Sequence, residues 1–250
     1  MENIIKDIAG SGKSFIVRQK LNTIPQLDKL VDGFFKGELI NVFGAIGSGK
    51  TAFAVAIANE LQKDKNVLFI TTMTSEAHIV GIFDRANGVK TTYTKGISQF
   101  KGNLIIKHFY KKIDIKRFER FIKQIKKTKI DAIFIDDAIS FTNVQPKDFM
   151  VGLREIASIF DCLVMVMSQG KRRSFGDLSD ISGSAYLAQI SDKVIFIDKL
   201  PEKKRTFWTK LMFWKKRINF IVKVLKNRTS STNTAKGLFD FEKIKLKLYK

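Results

Sequence analysis

The chain has 250 residues, 44% of them hydrophobic and 22 of them Phe, enough for a buried α/β core and too apolar for a disordered chain. Its one cysteine excludes an internal disulfide, its apolar runs are too short to cross a bilayer, and its start, "MENIIKDIAG", lacks the apolar stretch of a signal peptide, so a cytoplasmic location is expected. Lys and Arg total 45 against 24 Asp and Glu, a formal charge of +21, and a field of that sign gathers polyanions: nucleic acid first, an anionic membrane surface second.

Residues 1–22 read as an N-terminal arm, available for an inter-subunit contact, and 23–250 as the core. Strands are predicted at 38–43, 66–71, 103–109, 130–136, 161–168 and 192–198, where short β-branched or apolar runs occur. Helices are predicted at 50–63, 114–127 and 146–160. In the second of these, Ile115, Phe118, Phe121, Ile122 and Ile125 share one face, so its Lys and Arg form a solvated exterior. Strands alternating with helices predict an α/β fold: a mainly parallel twisted sheet with helices on both faces. The strands are apolar throughout, as burial on both sides requires. Cys162, in such a run, reads as a small core residue.

Two stretches spell Gly-Ser-Gly-Lys followed by a hydroxyl residue, at 9–14 and 44–51. A phosphate cradle needs a buried strand before it, glycines at the bend, a Lys for the terminal phosphates and a hydroxyl for Mg²⁺. The first stretch has Asp7 where the leading glycine belongs, and no buried strand precedes it. The second satisfies the Gly-x-x-x-x-Gly-Lys-Thr spacing between a strand and a helix. The predicted cradle is therefore Gly44, Ala45, Ile46, Gly47, Ser48, Gly49, Lys50, Thr51 and Ala52, with Lys50 on the phosphates and Thr51 on the metal. "IDAIFIDD" supplies the second strand that such a site requires, with Asp136 facing the Mg²⁺ shell and Asp137 beside it.

From about residue 23 onward these motifs resemble a RecA-like P-loop ATPase core. The later motifs are most similar to superfamily 4 ring helicases, the DnaB-type and phage primase–helicase group. "VMSQG" resembles the strand whose glutamine, here Gln169, senses the γ-phosphate. "DLSDISGSAYLAQISDKVIFID" resembles the stretch carrying Ser182, Gly183, Gln189 and Asp192. "VKVLKNRTSSTNTAKGLFDF" resembles the C-terminal β-hairpin whose Lys226 and Arg228 reach a neighbouring subunit's nucleotide. An arginine supplied in trans neutralises charge growing on the γ-phosphate and is worth about 10³–10⁵ in rate. The resemblance implies ATP with Mg²⁺, a homo-oligomer (a hexameric ring), and a minimal replicative-type DNA helicase moving on single-stranded DNA, with RNA left open. The loop 170–177 then faces the channel, with Lys171, Arg172 and Arg173 tracking the strand beside Phe175.

One position departs from the family pattern. The glutamate that activates the attacking water aligns with Met73, whose thioether accepts no proton. Glu76 is the first substitute and Asp137 the second; otherwise hydrolysis is weak. The competing expectations are a RecA- or KaiC-like ATPase of recombination or signalling, and a nucleotide-switched accessory protein. The basic, aromatic stretch 199–220 reads as a variable excursion. A second nucleic-acid surface, an oligomer contact and a membrane-surface helix all stay open for it.

Overall fold

The structure, a computed structural model, describes residues 18–88, 98–99, 104–109, 115–125, 129–137, 146–170, 176–180, 185–200 and 217–249. In chain order these contain β1 (Lys20–Leu21), α1 (Pro25–Val31), β2 (Phe34–Phe35), β3 (Leu39–Gly44), α2 (Lys50–Leu61), β4 (Val67–Thr71) and α3 (Glu76–Asn87). There follow β5 (Ser98–Gln99), β6 (Leu104–His108), α4 (Ile115–Gln124), β7 (Ala132–Asp136), α5 (Pro146–Ile159) and β8 (Leu163–Gln169). The chain ends with α6 (Ala185–Ile190), β9 (Lys193–Lys199), β10 (Arg217–Asn227), β11 (Thr234–Asp240) and β12 (Lys245–Tyr249).

Among the described residues one sheet has the order β12-β11-β10-β9-β3-β8-β7-β4-β6-β5. Its centre, β9 to β6, is parallel. β5 is antiparallel at one edge, and β10, β11 and β12 form an antiparallel meander at the other. The predicted mainly parallel sheet and C-terminal hairpin are both present, and β12 extends the hairpin by one strand. Outside this sheet β1 pairs with β2, and Leu21 is buried there.

Period-two alternation explains why the central strands read as unbroken apolar runs. Ile40, Val42, Val67, Phe69, Phe134 and Met165 join the core under α2 and α3. Leu39, Phe43, Leu68, Ile70, Ile133 and Val164 join the core on the opposite face, with α4 and α5. On α4, Phe118 and Ile122 are buried while Ile115, Phe121 and Ile125 pack at the margin, as the face pattern predicts. Cys162 is fully buried, and burial pushes its thiol up to about 12, so it is core and not a nucleophile.

The topology selects one place for a ligand. From β3 the chain crosses through α2 to β4 on one side, and from β8 it returns past β3 to β9 on the other. Adjacent strands whose connections part in opposite directions open a crevice between their carboxyl ends, here those of β3 and β8. At the other end of the sheet a buried ion pair ties the starts of β3 and β9. Lys193 Nζ lies 2.8 and 2.7 Å from the two Glu38 carboxylate oxygens and 2.9 Å from the Gly33 carbonyl. Among the described residues, no helix is long and apolar enough to cross a membrane.

Candidate nucleotide site

β3 ends at Gly44 and α2 begins at Lys50, so residues 45–49 form the loop at the mouth of the crevice. Gly47 and Gly49 have φ of 76° and 99°, a region open to glycine. Gly44 is required for a different reason: a Cβ there would sit 2.2 Å from the Ile197 carbonyl oxygen and 2.7 Å from Ser48 Oγ. The amino end of α2 has no side-chain cap and no acidic residue in its first turn. The buried Ser48 hydroxyl also has no hydrogen-bond partner among the described residues. An unpaired hydroxyl and a positive helix end suit an anion, the ligand expected of this loop.

Lys50 Nζ donates to the carbonyls of Gly44 and Ala45, both at 2.9 Å. Burial lowers its pKa, while Asp137, Asp136 and Asp198 pull it back up. Thr51 Oγ1 donates to Asp136 Oδ2 at 2.7 Å, which brings the two expected metal-shell groups together. Burial raises the Asp136 carboxyl to about 6 against the Thr51 hydrogen bond, with Asp137 adding to the rise and Lys50 opposing it. Among the described residues, no cluster of three or more His, Cys, Asp or Glu could hold a metal alone. One carboxylate and one hydroxyl beside a phosphate cradle suit Mg²⁺ arriving with a nucleotide.

Asp137 is buried at the tip of β7, between β8 and β4. Gln169, the last residue of β8, donates from Nε2 to Asp137 Oδ2 at 3.0 Å. From the β4 side, Thr72 Oγ1 donates to the Asp137 carbonyl at 2.9 Å and accepts its amide at 3.1 Å. Glu76 opens α3 and is also buried; its Oε1 accepts the backbone amide of His108 at 2.8 Å, tying α3 to the end of β6. Met73, between Thr72 and Glu76 in the chain, is 69% exposed.

A cleft of about 330 Å³ opens beside the loop, lined by Gly49, Lys50 and Thr51 and by His78, Arg85, Phe241 and Ile244. Phe241 packs on the loop itself, since a Cβ on Gly49 would lie 3.1 Å from its ring. An aromatic ring, an aliphatic residue and a cation beside a phosphate cradle suit a nucleobase and ribose. These four residues were not foreseen. The available signal was local: Phe241 and Ile244 are apolar residues in an otherwise charged turn, "DFEKIK".

Lys226 and Arg228 are at the opposite end of the strands from the loop, where β10 finishes beside the start of β9. Arg228 donates through its amide to the Asp192 carbonyl just before β9, whereas the cradle meets β9 at Ile197. Five residues of strand separate these points, roughly 17 Å at the usual rise. A shift in register between Val224 and Lys226 re-aims the end of β10. Lys226 Nζ donates to the Ala188 and Gln189 carbonyls at 2.8 Å each, and Arg228 contacts the Gln189 carbonyl and Asp192 Oδ1 at 3.3 Å each. Burial lowers the Lys226 pKa, and Arg228 and Arg154 lower it further. Gln189 and Asp192, singled out in sequence with the Lys-x-Arg pair, thus meet that pair in space.

Lys171, Arg172, Arg173, Ser182, Gly183, most of the arm at 1–22 and most of the excursion at 199–220 lie outside the described residues. A search of the curated proteins found no match. Among solved structures, a DnaB-like replicative helicase, described with its interactions with primase, superposes with a TM-score of 0.68 at 16% identity. That match covers 94% of this chain and 64% of the helicase, so the chain spans less than two thirds of its length. An isolated ATPase domain superposes with a TM-score of 0.68 at 16% identity, covering 90% of this chain and 89% of the domain. At such identity these likenesses speak for the fold. The family model for the DnaB-like helicase C-terminal domain matches residues 21–247, nearly the whole chain, and the chain belongs to that family.

Proposed function

We propose that the chain is the ATPase core of an oligomeric, nucleic-acid-dependent motor: a minimal replicative-type DNA helicase that hydrolyses ATP to move on single-stranded DNA in the cytoplasm. The observation that carries this reading is the separation of two half-sites on one subunit. The cradle of Lys50 and Thr51 is at one end of the sheet, and Arg228 with Lys226 is at the other. A pair that cannot reach its own cradle is suited to a neighbour's. A head-to-tail contact of that kind closes into a ring, a hexamer in this proposal.

Within each subunit, the loop amides and Lys50 hold the phosphates, and Thr51 and Asp136 hold Mg²⁺ with the nucleotide. When bound, Mg²⁺ would supply charge neutralisation on the phosphates. The cleft formed by Arg85, Phe241 and Ile244 takes the base. Gln169 reads the γ-phosphate, and its β8 strand leads directly into 170–177, where Lys171, Arg172 and Arg173 contact the DNA backbone.

The test is ATPase rate with and without single-stranded DNA, run beside ATP-dependent strand displacement. DNA-stimulated turnover with unwinding supports the motor. A chain that stays monomeric with nucleotide and DNA, and hydrolyses nothing, sinks it. The Met73 position favours a second reading, a nucleotide-gated DNA-binding protein with slow turnover. Nucleotide-dependent filaments on single strands without unwinding would support that reading instead.

A further inference from the structure

Whatever replaces the missing glutamate must present a carboxylate to the water that attacks the γ-phosphate, within hydrogen-bond reach and beside Lys50. Met73 has no such group. Glu76 is buried with Oε1 on the His108 amide, on the β6 side of β4 and away from β8. Asp137 is placed differently. It follows the metal-site Asp136 directly, on the strand between β8 and β4. Its carboxylate touches the Gln169 amide at 3.0 Å, and its backbone is fixed in both directions by Thr72, the residue before Met73. Lys50 feels its charge more strongly than that of any other carboxylate. The end of β4, where Met73 follows Thr72, reaches Asp137 through two hydrogen bonds.

We propose that Asp137 is the catalytic residue that orients the attacking water, and that its hydrogen bond to Gln169 joins water placement to γ-phosphate sensing. This rests on the ATPase reading. One Asp137 carboxylate oxygen accepts a hydrogen bond from the water. The water oxygen forms a bond to the γ-phosphorus, and the bond from that phosphorus to the β–γ bridging oxygen breaks, its electron pair leaving on ADP. The proton lost by the water ends on the product phosphate. Gln169, bonded to the other side of the same carboxylate, holds it in line only when its own amide is correctly placed, so the two residues act together.

The test compares the full chain with Asp137→Asn, Glu76→Gln and Asp137→Asn combined with Met73→Glu. ATP turnover is measured with single-stranded DNA, and the affinity of a fluorescent ATP analogue is measured in parallel. Expected for Asp137→Asn is a fall in turnover of about 10²-fold or more, the usual worth of a positioned acid or base, with nucleotide affinity within about threefold of the parent. Glu76→Gln keeps turnover within about tenfold of the parent. Because Met73 is exposed, adding Met73→Glu restores the carboxylate from the β4 side without disturbing the core, and recovers at least about tenfold of the lost rate. A purely structural role for Asp137 predicts no such rescue. If Asp137→Asn loses nucleotide binding through misfolding, Asp137→Glu decides. A variant that keeps the carboxylate should keep part of the rate that Asp137→Ala loses, so equal rates in Asp137→Glu and Asp137→Ala, with nucleotide binding intact in both, overturn the proposal. Asp137→Asn with parental turnover overturns it too and leaves the ATPase reading intact. A parent that binds ATP and never hydrolyses it overturns both.

Discussion

Thr51 Oγ1 and Asp136 Oδ2 are joined by a 2.7 Å hydrogen bond that links the first turn of α2 to the end of β7. The bond favours the ionised carboxylate, yet burial wins, and the Asp136 pKa rises from 3.8 to about 6. The folded chain therefore holds this proton more tightly than the unfolded one. The stability tied to it is fully present below about pH 4 and is lost as pH rises through about 6. Asp136→Asn should accordingly stabilise the metal-free protein at pH 7.5 by about 1–3 kcal/mol, and give little at pH 4. Urea denaturation of both proteins at the two pH values checks this. The same variant should lose Mg²⁺-dependent ATP binding, so stability and function move in opposite directions. A variant no more stable than its parent at pH 7.5 counts against a buried, ionised Asp136.

Glu38 and Lys193 are a buried pair that holds β3 and β9 in register below the cradle. Burial lowers the Lys193 pKa, and Glu38 opposes that shift through its charge and its hydrogen bond. Glu38→Gln leaves an ammonium without its counter-charge and should cost about 3–5 kcal/mol in denaturant unfolding. Glu38→Leu combined with Lys193→Met removes both charges and should recover most of it. A double variant as unstable as the single one would mean that these strands need the ion pair itself and not only its neutrality.

How legible these features were depends on how local their physics is. The strand–loop–helix unit around residues 44–51 is encoded in consecutive residues, because a strand, a tight turn and a helix start are all short-range events. The central strands were legible because burial on both faces leaves no polar interruption. β1, β2 and β5 are two residues each and carry no alternation to read. The α3 helix carries one short cue in the sequence, Ser75 at the N-cap, whose Oγ accepts the His78 amide. The decisive contacts are of another kind. Asp137 and Gln169 are 32 positions apart, and Lys226 reaches a carbonyl 38 positions earlier. No periodicity records such pairings. Only the strand order brings Asp137 beside Gln169 and moves Glu76 to the other side of β4.

The DNA contact predicted for 170–177 has a thermodynamic signature that needs no structure of the complex. Three cations released from a single strand change the slope of log affinity against log salt by about 2. Replacing Lys171, Arg172 and Arg173 together by Gln should weaken single-strand binding and flatten the slope by that amount. Fluorescence anisotropy over a series of salt concentrations reads both. An unchanged slope would assign the electrostatic footprint to another of the chain's many basic segments.

Arg228 provides the test of assembly. Its guanidinium rests on Asp192 and the Gln189 carbonyl of its own chain, roughly 17 Å along the strand from its own cradle. In the proposed role across an interface, it would stabilise a charge that grows only during phosphoryl transfer. Arg228→Ala should therefore lower turnover by about 10³-fold while leaving ATP affinity and oligomer size nearly as they were. Mixing separates this from a defect in folding. Lys50→Ala subunits lack a working cradle but keep Arg228, and Arg228→Ala subunits have the reverse. If the two half-sites belong to different chains, an interface pairing an intact cradle with an intact arginine re-forms in the mixture, and turnover returns where neither variant alone has any. If Arg228 serves only its own subunit, no ratio of the two restores activity, and the head-to-tail ring loses its physical basis.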